Sequence, residues 1–162
     1  MLRPMTINVL VLCTGNSARS ILAEVLINEL GGPDWRAFSA GSQPVGQVNP
    51  GAIAKLIEKG HPTEGLTSKS WDRFSGVDAP AIDIVITVCD NAAGEACPLC
   101  KAAPVNAHWG IADPAADGDF DSAYARLRER IDAMLSLPFA QMNSAERKDA
   151  LDRIHQEAIK AA

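Results

Sequence analysis

The sequence lacks a hydrophobic run long enough to cross a membrane, and it lacks an excess of basic residues. Its first apolar run, at 9–12, has four residues, whereas a membrane-spanning helix needs about 20; no signal-peptide cleavage pattern follows. Lys plus Arg is 15 and Asp plus Glu is 20, a net charge of −5, which argues against a nucleic-acid partner. With 162 residues, 47% of them hydrophobic, we expect a folded cytoplasmic protein whose thiols are reduced at rest.

Cysteine is also scarce, with four residues at Cys13, Cys89, Cys97 and Cys100. Four are too few for a disulfide-stapled mini-domain, and a chain of this length does not need one. The C-x-x-C of residues 97–100 is compatible with a redox pair or half of a zinc site. No second C-x-x-C or paired histidines complete such a site, so no metal is predicted. Cys89 alone would be interpreted as a core thiol.

Hydrophobic patterning predicts strands that alternate with helices. Strands are predicted at 6–13, 36–40, 82–88 and 105–109, and helices from 17, 50, 120 and 143. This order predicts an α/β fold with a parallel sheet covered on both faces. We expect a single domain over residues 1–162, with a core at about 6–138 and a C-terminal helical extension at about 143–161.

Three residues that can act as nucleophile or acid lie at or just after the ends of predicted strands. Cys13 ends the first strand, Cys89 ends the third, and Asp113 comes just after the fourth. Ligands of parallel α/β folds bind at the carboxyl ends of the strands. The fold therefore predicts that these three residues lie at one edge of the sheet.

The segment CTGNSARS, from Cys13 to Ser20, places a cysteine, five residues, an arginine and a serine between a strand and a helix. Chance gives about 0.01 such matches at this composition. Backbone N–H groups of such a loop can surround a tetrahedral oxyanion. The candidate oxyanion-binding residues are Thr14, Gly15, Asn16, Ser17, Ala18, Arg19 and Ser20.

Each loop position has a physical role in this hypothesis. Gly15 allows close backbone approach, and the planar Arg19 guanidinium can bind two oxygens of the anion. The positive surroundings are expected to lower the pKa of Cys13 and make it a nucleophilic thiolate. Ser20 can donate to that thiolate, and Asn16 can brace the loop. The simpler interpretation is a buried strand-end cysteine and a surface arginine.

The dipeptide Asp113-Pro114 is of interest only because it follows the fourth predicted strand. About 0.7 Asp-Pro pairs are expected by chance, and both residues are common in ordinary turns. An aspartic acid in a loop over the bound oxyanion could instead protonate a departing oxygen. We therefore include Asp113 as a candidate general acid.

Four segments together carry a resemblance to a known family: residues 13–20, Ser39-Ala40-Gly41, Cys89 with Cys97-Pro98, and the run from His108-Trp109-Gly110 through Asp113-Pro114. Over roughly residues 6–138, the chain resembles the arsenate reductases built on the low-molecular-weight protein tyrosine phosphatase fold. The resemblance implies a three-layer structure, with a four-stranded parallel sheet between helices, and a cytoplasmic role in arsenical resistance.

The resemblance also implies a mechanism. Cys13 attacks arsenate held by the loop and Arg19, while Asp113 acts as general acid. Cys89 then attacks the Cys13 sulfur and releases arsenite, and Cys97 attacks Cys89 to give a Cys89–Cys97 disulfide. Thioredoxin, or glutathione with glutaredoxin, reduces that disulfide. Because the thiols carry the electrons, no bound cofactor is expected.

The chain departs from the family at two positions near these residues. Some members hold potassium through an Asn, a Glu, a Ser and an Asp; Asn16, Glu24 and Ser39 match three of these, whereas Lys69 stands at the fourth. We predict that the Lys69 ammonium replaces the ion. Cys100 is an additional thiol, which could compete with Cys97 or pair with it.

Two other functions remain open from the sequence. A tyrosine phosphatase would use Cys13, Arg19 and Asp113 and would not need Cys89 or Cys97. The family's phosphatases typically place aromatic residues after the Asp-Pro, whereas residues 115–118 here are Ala-Ala-Asp-Gly. This favours the reductase, with residual phosphatase activity. A non-enzymatic redox or oxyanion-binding module is the third hypothesis.

Overall fold

The sheet of the computed structural model, which describes residues 6–89 and 97–161, has four parallel strands. They are β1 (Ile7–Leu12), β2 (Trp35–Ala40), β3 (Ile84–Thr87) and β4 (Val105–His108), in the order β2-β1-β3-β4. All three strand pairings are parallel. The predicted α/β fold with a four-stranded parallel sheet is confirmed.

Helices connect the strands and cover both faces of the sheet. They are α1 (Arg19–Leu30), α2 (Pro50–Glu58), α3 (Pro98–Ala102), α4 (Pro114–Asp117), α5 (Phe120–Leu135) and α6 (Ser144–Ala161), with 3-10 turns at Gly32–Asp34, Trp71–Phe74 and Phe139–Gln141. Among the described residues, no helix combines the length and the apolar character that a membrane span requires.

The start of α1 differs from the sequence prediction. We expected a helix from residue 17, whereas α1 begins at Arg19. Asn16 has a positive φ of 46°, which a right-handed helix does not tolerate. Ala18 has φ −129° and ψ −77°, which also lie outside the helical range. The loop therefore extends through Ser17 and Ala18, and of the candidate loop residues only Arg19 and Ser20 lie in the first helical turn.

Strand β1 is buried on both faces, as its continuous apolar run predicts. Val9 and Val11 belong to the larger core cluster, with side chains from α1 and α5. Leu10 and Leu12 belong to a second cluster, which also contains Val85. Because successive side chains of a strand point to opposite faces, the two clusters lie on opposite sides of the sheet.

The C-terminal helix α6 packs on the core against β4 and α5. Trp109, 1% exposed, donates its indole N–H to the Leu151 carbonyl of this helix over 3.0 Å. The helix begins with a capping box, in which the Asn143 side chain accepts from the Glu146 N–H over 2.8 Å. Glu146 accepts in return from the Asn143 N–H over 2.9 Å, which satisfies two donors at the helix start.

Candidate active site

The loop after β1 is held in shape by Asn16. This fully buried side chain donates to the Ser20 hydroxyl over 2.8 Å and accepts from the Lys69 backbone N–H over 2.9 Å. It is the one residue other than glycine with positive φ in the part of the chain that the structure describes. Hydrogen bonds at both ends of the side-chain amide hold Asn16 in a backbone conformation that residues other than glycine rarely adopt.

Three carbonyl groups of the loop accept hydrogen bonds from the backbone of residues 43–49. The Thr14 carbonyl accepts from the Gln43 N–H over 3.0 Å, and the Gly15 carbonyl accepts from the Val45 N–H over 3.1 Å. The Ser17 carbonyl accepts from the Asn49 N–H over 2.9 Å. In a trans peptide the N–H of the next residue points opposite to the carbonyl. The loop therefore turns several N–H groups toward one side, as an oxyanion site requires.

Gly41, at the end of β2, allows the backbone to approach this loop closely. A Cβ atom at this position would lie 2.7 Å from the Cys13 carbonyl oxygen, which is too close for any side chain. The Gly41 N–H donates to the Lys69 carbonyl over 2.9 Å, and the Cys13 N–H donates to the Ala40 carbonyl over 3.2 Å. The loop is thus bonded to the end of β2 through Ala40, and Gly41 is bonded to the segment that contains Lys69.

A cavity of about 240 Å³ lies at the carboxyl edge of the sheet. It is lined by Cys13, Thr14, Gly15, Ser17, Ala18, Arg19, Val45, Cys89 and Asp113. The structure therefore places the candidate nucleophile, most of the candidate loop, the arginine, the second cysteine and the candidate acid around one cavity. Val45 was not identified from the sequence, since no local pattern marks an exposed valine as part of a site.

Arg19 stands between the cavity and the loop that contains Asp113. Its Nη1 donates to the Ile111 carbonyl over 2.8 Å, and its Nη2 lies 3.7 Å from Asp113 Oδ2. The Asp113 side chain is 45% exposed, so water screens this ion pair and the pair contributes little to stability. The Ile111 carbonyl, which sequence reasoning missed, orients the guanidinium.

Cys13 and Cys89 are both buried thiols. The Thr14 N–H donates to Cys89 Sγ over 3.3 Å, and the Thr14 hydroxyl lies 3.6 Å from the same sulfur. The hydrogen bond with Cys89 and burial raise the pKa of Cys13, while Arg19 and the Gly15 N–H lower it. The effects of Cys89 and burial outweigh those of Arg19 and Gly15, so the net shift of the Cys13 pKa is upward. The prediction of a lowered Cys13 pKa was therefore wrong.

The cause of the raised Cys13 pKa can be tested by alkylation. Because Cys89 is its largest cause, Cys89→Ala is expected to lower the pKa of Cys13 and increase its thiolate fraction. Iodoacetamide should then modify Cys13 at least about threefold faster at pH 7 than in the wild type. Peptide mass spectrometry would follow the rate, with Thr87→Ser as the control. A slower reaction in Cys89→Ala would contradict the assignment.

Glu24, Ser39 and Lys69 form a polar cluster behind the loop. Glu24 Oε1 accepts from the Ser39 hydroxyl over 2.6 Å and lies 3.8 Å from Lys69 Nζ. Lys69 Nζ also donates to the Thr67 carbonyl over 2.7 Å. Burial raises the pKa of Glu24, and Ser39 and Lys69 oppose that shift. Burial likewise lowers the pKa of Lys69 against the effect of Glu24.

Cys97 and Cys100 form a disulfide with a Cα–Cα separation of 5.3 Å. Cys97 belongs to the core cluster of Leu10 and Leu12, whereas Cys13 and Cys89 belong to the cluster on the other face of the sheet. In this structure Cys97 therefore pairs with Cys100 and not with Cys89. The sequence alone does not distinguish these two pairings. Residues 90–96, between Cys89 and Cys97, lie outside the described residues.

Comparisons with known proteins agree with this geometry. The family model described as "Low molecular weight phosphotyrosine protein phosphatase" matches residues 8–148. An arsenate reductase of Staphylococcus xylosus is 37% identical over 120 residues, and one of Bacillus subtilis is 36% identical over 124; each match covers 74% of this chain and 86% of the relative. A solved arsenate reductase in a phosphate-binding state superposes with a TM-score of 0.69 at 27% identity, covering 81% of this chain and 98% of that one.

Proposed function

The chain belongs to the low molecular weight phosphotyrosine protein phosphatase family, and on that premise we propose that it is an arsenate reductase. One observation carries the choice within the family. The Cys89 thiol lines the same cavity as Cys13 and is bonded by the Thr14 N–H. Phosphate-ester hydrolysis through a cysteinyl intermediate uses one thiol. Reduction of arsenate to arsenite needs two thiols, because the two electrons come from the formation of a disulfide.

The first step of the proposed reaction forms a bond between sulfur and arsenic. The loop N–H groups and Arg19 hold the arsenate oxygens. An arsenate dianion accepts the proton of the Cys13 thiol, and the resulting thiolate attacks arsenic. Asp113, beside Arg19 at the cavity, protonates the hydroxide that leaves as water. The product is a Cys13–arsenic(V) adduct.

The second step transfers the electrons. The Cys89 thiolate attacks the Cys13 sulfur, forming a sulfur–sulfur bond and breaking the sulfur–arsenic bond. The electron pair of that broken bond stays on arsenic, which leaves as arsenite. Two thiols are oxidised and arsenic(V) is reduced to arsenic(III). The chemistry thus runs on the chain's own thiols, and an external thiol reductant must restore them.

The remaining loop residues position the nucleophile. Ser20 Oγ accepts from Asn16, so its own hydrogen can be donated to the Cys13 thiolate. Asn16 also connects the loop to the segment that contains Lys69. We propose thioredoxin, or glutathione with glutaredoxin, as the reductant and the cytoplasm as the compartment, because this cycle needs thiols that are kept reduced.

The test is a coupled assay with two substrates. Wild-type protein with thioredoxin, thioredoxin reductase and NADPH should oxidise NADPH in an arsenate-dependent manner and release arsenite. Glutathione with glutaredoxin and its reductase forms the parallel arm. Hydrolysis of p-nitrophenyl phosphate should be the weaker activity, because no aromatic side chain occurs in residues 115–118. Brisk hydrolysis with no arsenite in either arm would identify a phosphatase instead.

We propose that the Lys69 ammonium takes the place of a potassium ion beside Glu24. Its Nζ lies 3.8 Å from the Glu24 carboxylate, so it supplies a positive charge without an added ion. Exchange of potassium chloride for sodium chloride at constant ionic strength should leave Tm and arsenate turnover unchanged.

The Lys69→Ala variant tests whether the Lys69 ammonium stabilises this cluster. Lys69→Ala leaves the largely buried Glu24 carboxylate without its cation, which should lower the free energy of unfolding by roughly 1–3 kcal/mol. Thermal unfolding in both salts gives the comparison, with the exposed Lys148→Ala as the control. A potassium-specific rise in the Tm of the wild type would refute the proposed role.

A further inference from the structure

We propose that Cys100 is the terminal thiol of the disulfide cascade, so that one fully reduced chain holds the electrons for two arsenate reductions. The inference deepens the proposed arsenate reductase activity and rests on it. Its basis is a combination of redox states in one structure: Cys97 and Cys100 form a disulfide, while Cys13 and Cys89 are thiols.

The local geometry supports Cys100 as the partner of Cys97. Cys97 lies just before α3, and its Sγ accepts from the Cys100 N–H over 3.0 Å. The Cα–Cα separation of 5.3 Å lies within the range of ordinary disulfides. Cys97 is buried and Cys100 is half-buried. The more accessible sulfur of the pair is therefore the one that an external dithiol can attack.

Disulfide exchange connects the two cysteine pairs without an added oxidant. After arsenite leaves, the Cys97 thiolate attacks Cys89 of the Cys13–Cys89 disulfide, and Cys13 leaves as a thiolate. The Cys100 thiolate then attacks Cys97 of the Cys89–Cys97 disulfide, and Cys89 leaves as a thiolate. Each exchange forms one sulfur–sulfur bond and breaks one, and the proton of the attacking thiol compensates for the departing thiolate.

The end point of these exchanges has the same pairing as the structure. Cys13 and Cys89 are again thiols, so they can reduce a second arsenate while the Cys97–Cys100 disulfide persists. Four thiols supply four electrons, and each arsenate takes two. Without Cys100 the exchanges stop at a Cys89–Cys97 disulfide. Cys13 can then still attack arsenate, but no thiol remains to release arsenite.

A reductant-free burst measures this stoichiometry. Fully reduced protein, freed of reductant under anaerobic conditions, is mixed with excess arsenate, and the arsenite released per chain is counted. Wild type should release about two arsenites, Cys100→Ser about one, and the control Ala102→Ser, which changes an exposed position of α3, about two. One arsenite per wild-type chain, or two from Cys100→Ser, would overturn the inference.

A second measurement needs no variant. After one equivalent of arsenate, peptide mapping of alkylated wild-type protein should find the Cys97–Cys100 disulfide with Cys13 and Cys89 alkylated. A Cys89–Cys97 or Cys13–Cys89 disulfide as the end product would overturn the inference. The burst also distinguishes the two proposals. If the wild type releases no arsenite, the chain is not an arsenate reductase. If it releases one arsenite per chain, only the role of Cys100 is refuted.

Discussion

Cys13→Ser is expected to abolish arsenate reduction and aryl phosphate hydrolysis together, lowering kcat by about 10⁴-fold or more. Cys13 lies at the cavity where the loop, Arg19 and Cys89 meet. A serine hydroxyl ionises far less readily than a thiol, and it cannot form the disulfide that releases arsenite. Both activities are measured on the same preparation, by the coupled NADPH assay and by p-nitrophenol release.

Oxyanion binding provides the internal control for Cys13→Ser. The loop N–H groups and Arg19 remain in this variant, so phosphate is expected to raise the Tm of the variant and of the wild type by similar amounts. A retained phosphate effect shows that the loop is folded. Arsenate turnover within about tenfold of wild type in such a folded variant would remove Cys13 from the role of nucleophile.

Cys89→Ser is expected to separate the two activities. Arsenate turnover should fall by about 10³-fold or more, because the Cys13–arsenic adduct then has no neighbouring thiol to attack its sulfur. Aryl phosphate hydrolysis should stay within about threefold of wild type, since water resolves a cysteinyl-phosphate without Cys89. The same two assays, run in parallel, provide the measurement.

The matched control for Cys89→Ser is Thr87→Ser, a conservative change at the buried end of β3, two residues before Cys89. It should leave both activities near wild type. Equal losses of the two activities in Cys89→Ser would indicate a general disturbance of the cavity. Unchanged arsenate turnover would show that electrons reach arsenic by a route that does not include Cys89.

The alternation of strands and helices, and the expectation that Cys13, Cys89 and Asp113 share one edge of the sheet, followed from the sequence because they depend on patterns that the chain carries locally. The apolar run of β1 is continuous because both its faces are buried, by Val9 and Val11 on one side and Leu10 and Leu12 on the other. Cys13, Cys89 and Asp113 line one cavity because parallel strands bring their carboxyl ends to a common edge.

Other properties of the site depend on distances that no spacing in sequence encodes. The direction of the Cys13 pKa shift follows from the contact with Cys89 and from burial, which together outweigh Arg19. The orientation of Arg19 depends on the Ile111 carbonyl, a backbone group that any residue would supply. The pairing of Cys97 was equally open, since its possible partners differ in three-dimensional position and not in residue type.

The outward hydrogen bonds of the loop carbonyls have a consequence for selectivity. Because Gln43, Val45 and Asn49 fix the peptide planes, the receptor shape is set when the chain folds, and little ordering is left for the moment of anion capture. A rigid receptor of N–H groups recognises tetrahedral shape and negative charge, which arsenate and phosphate share. Discrimination between these two anions therefore belongs to the redox step, in which only arsenic accepts the electron pair. Phosphate is expected to act as a competitive occupant of the same cavity.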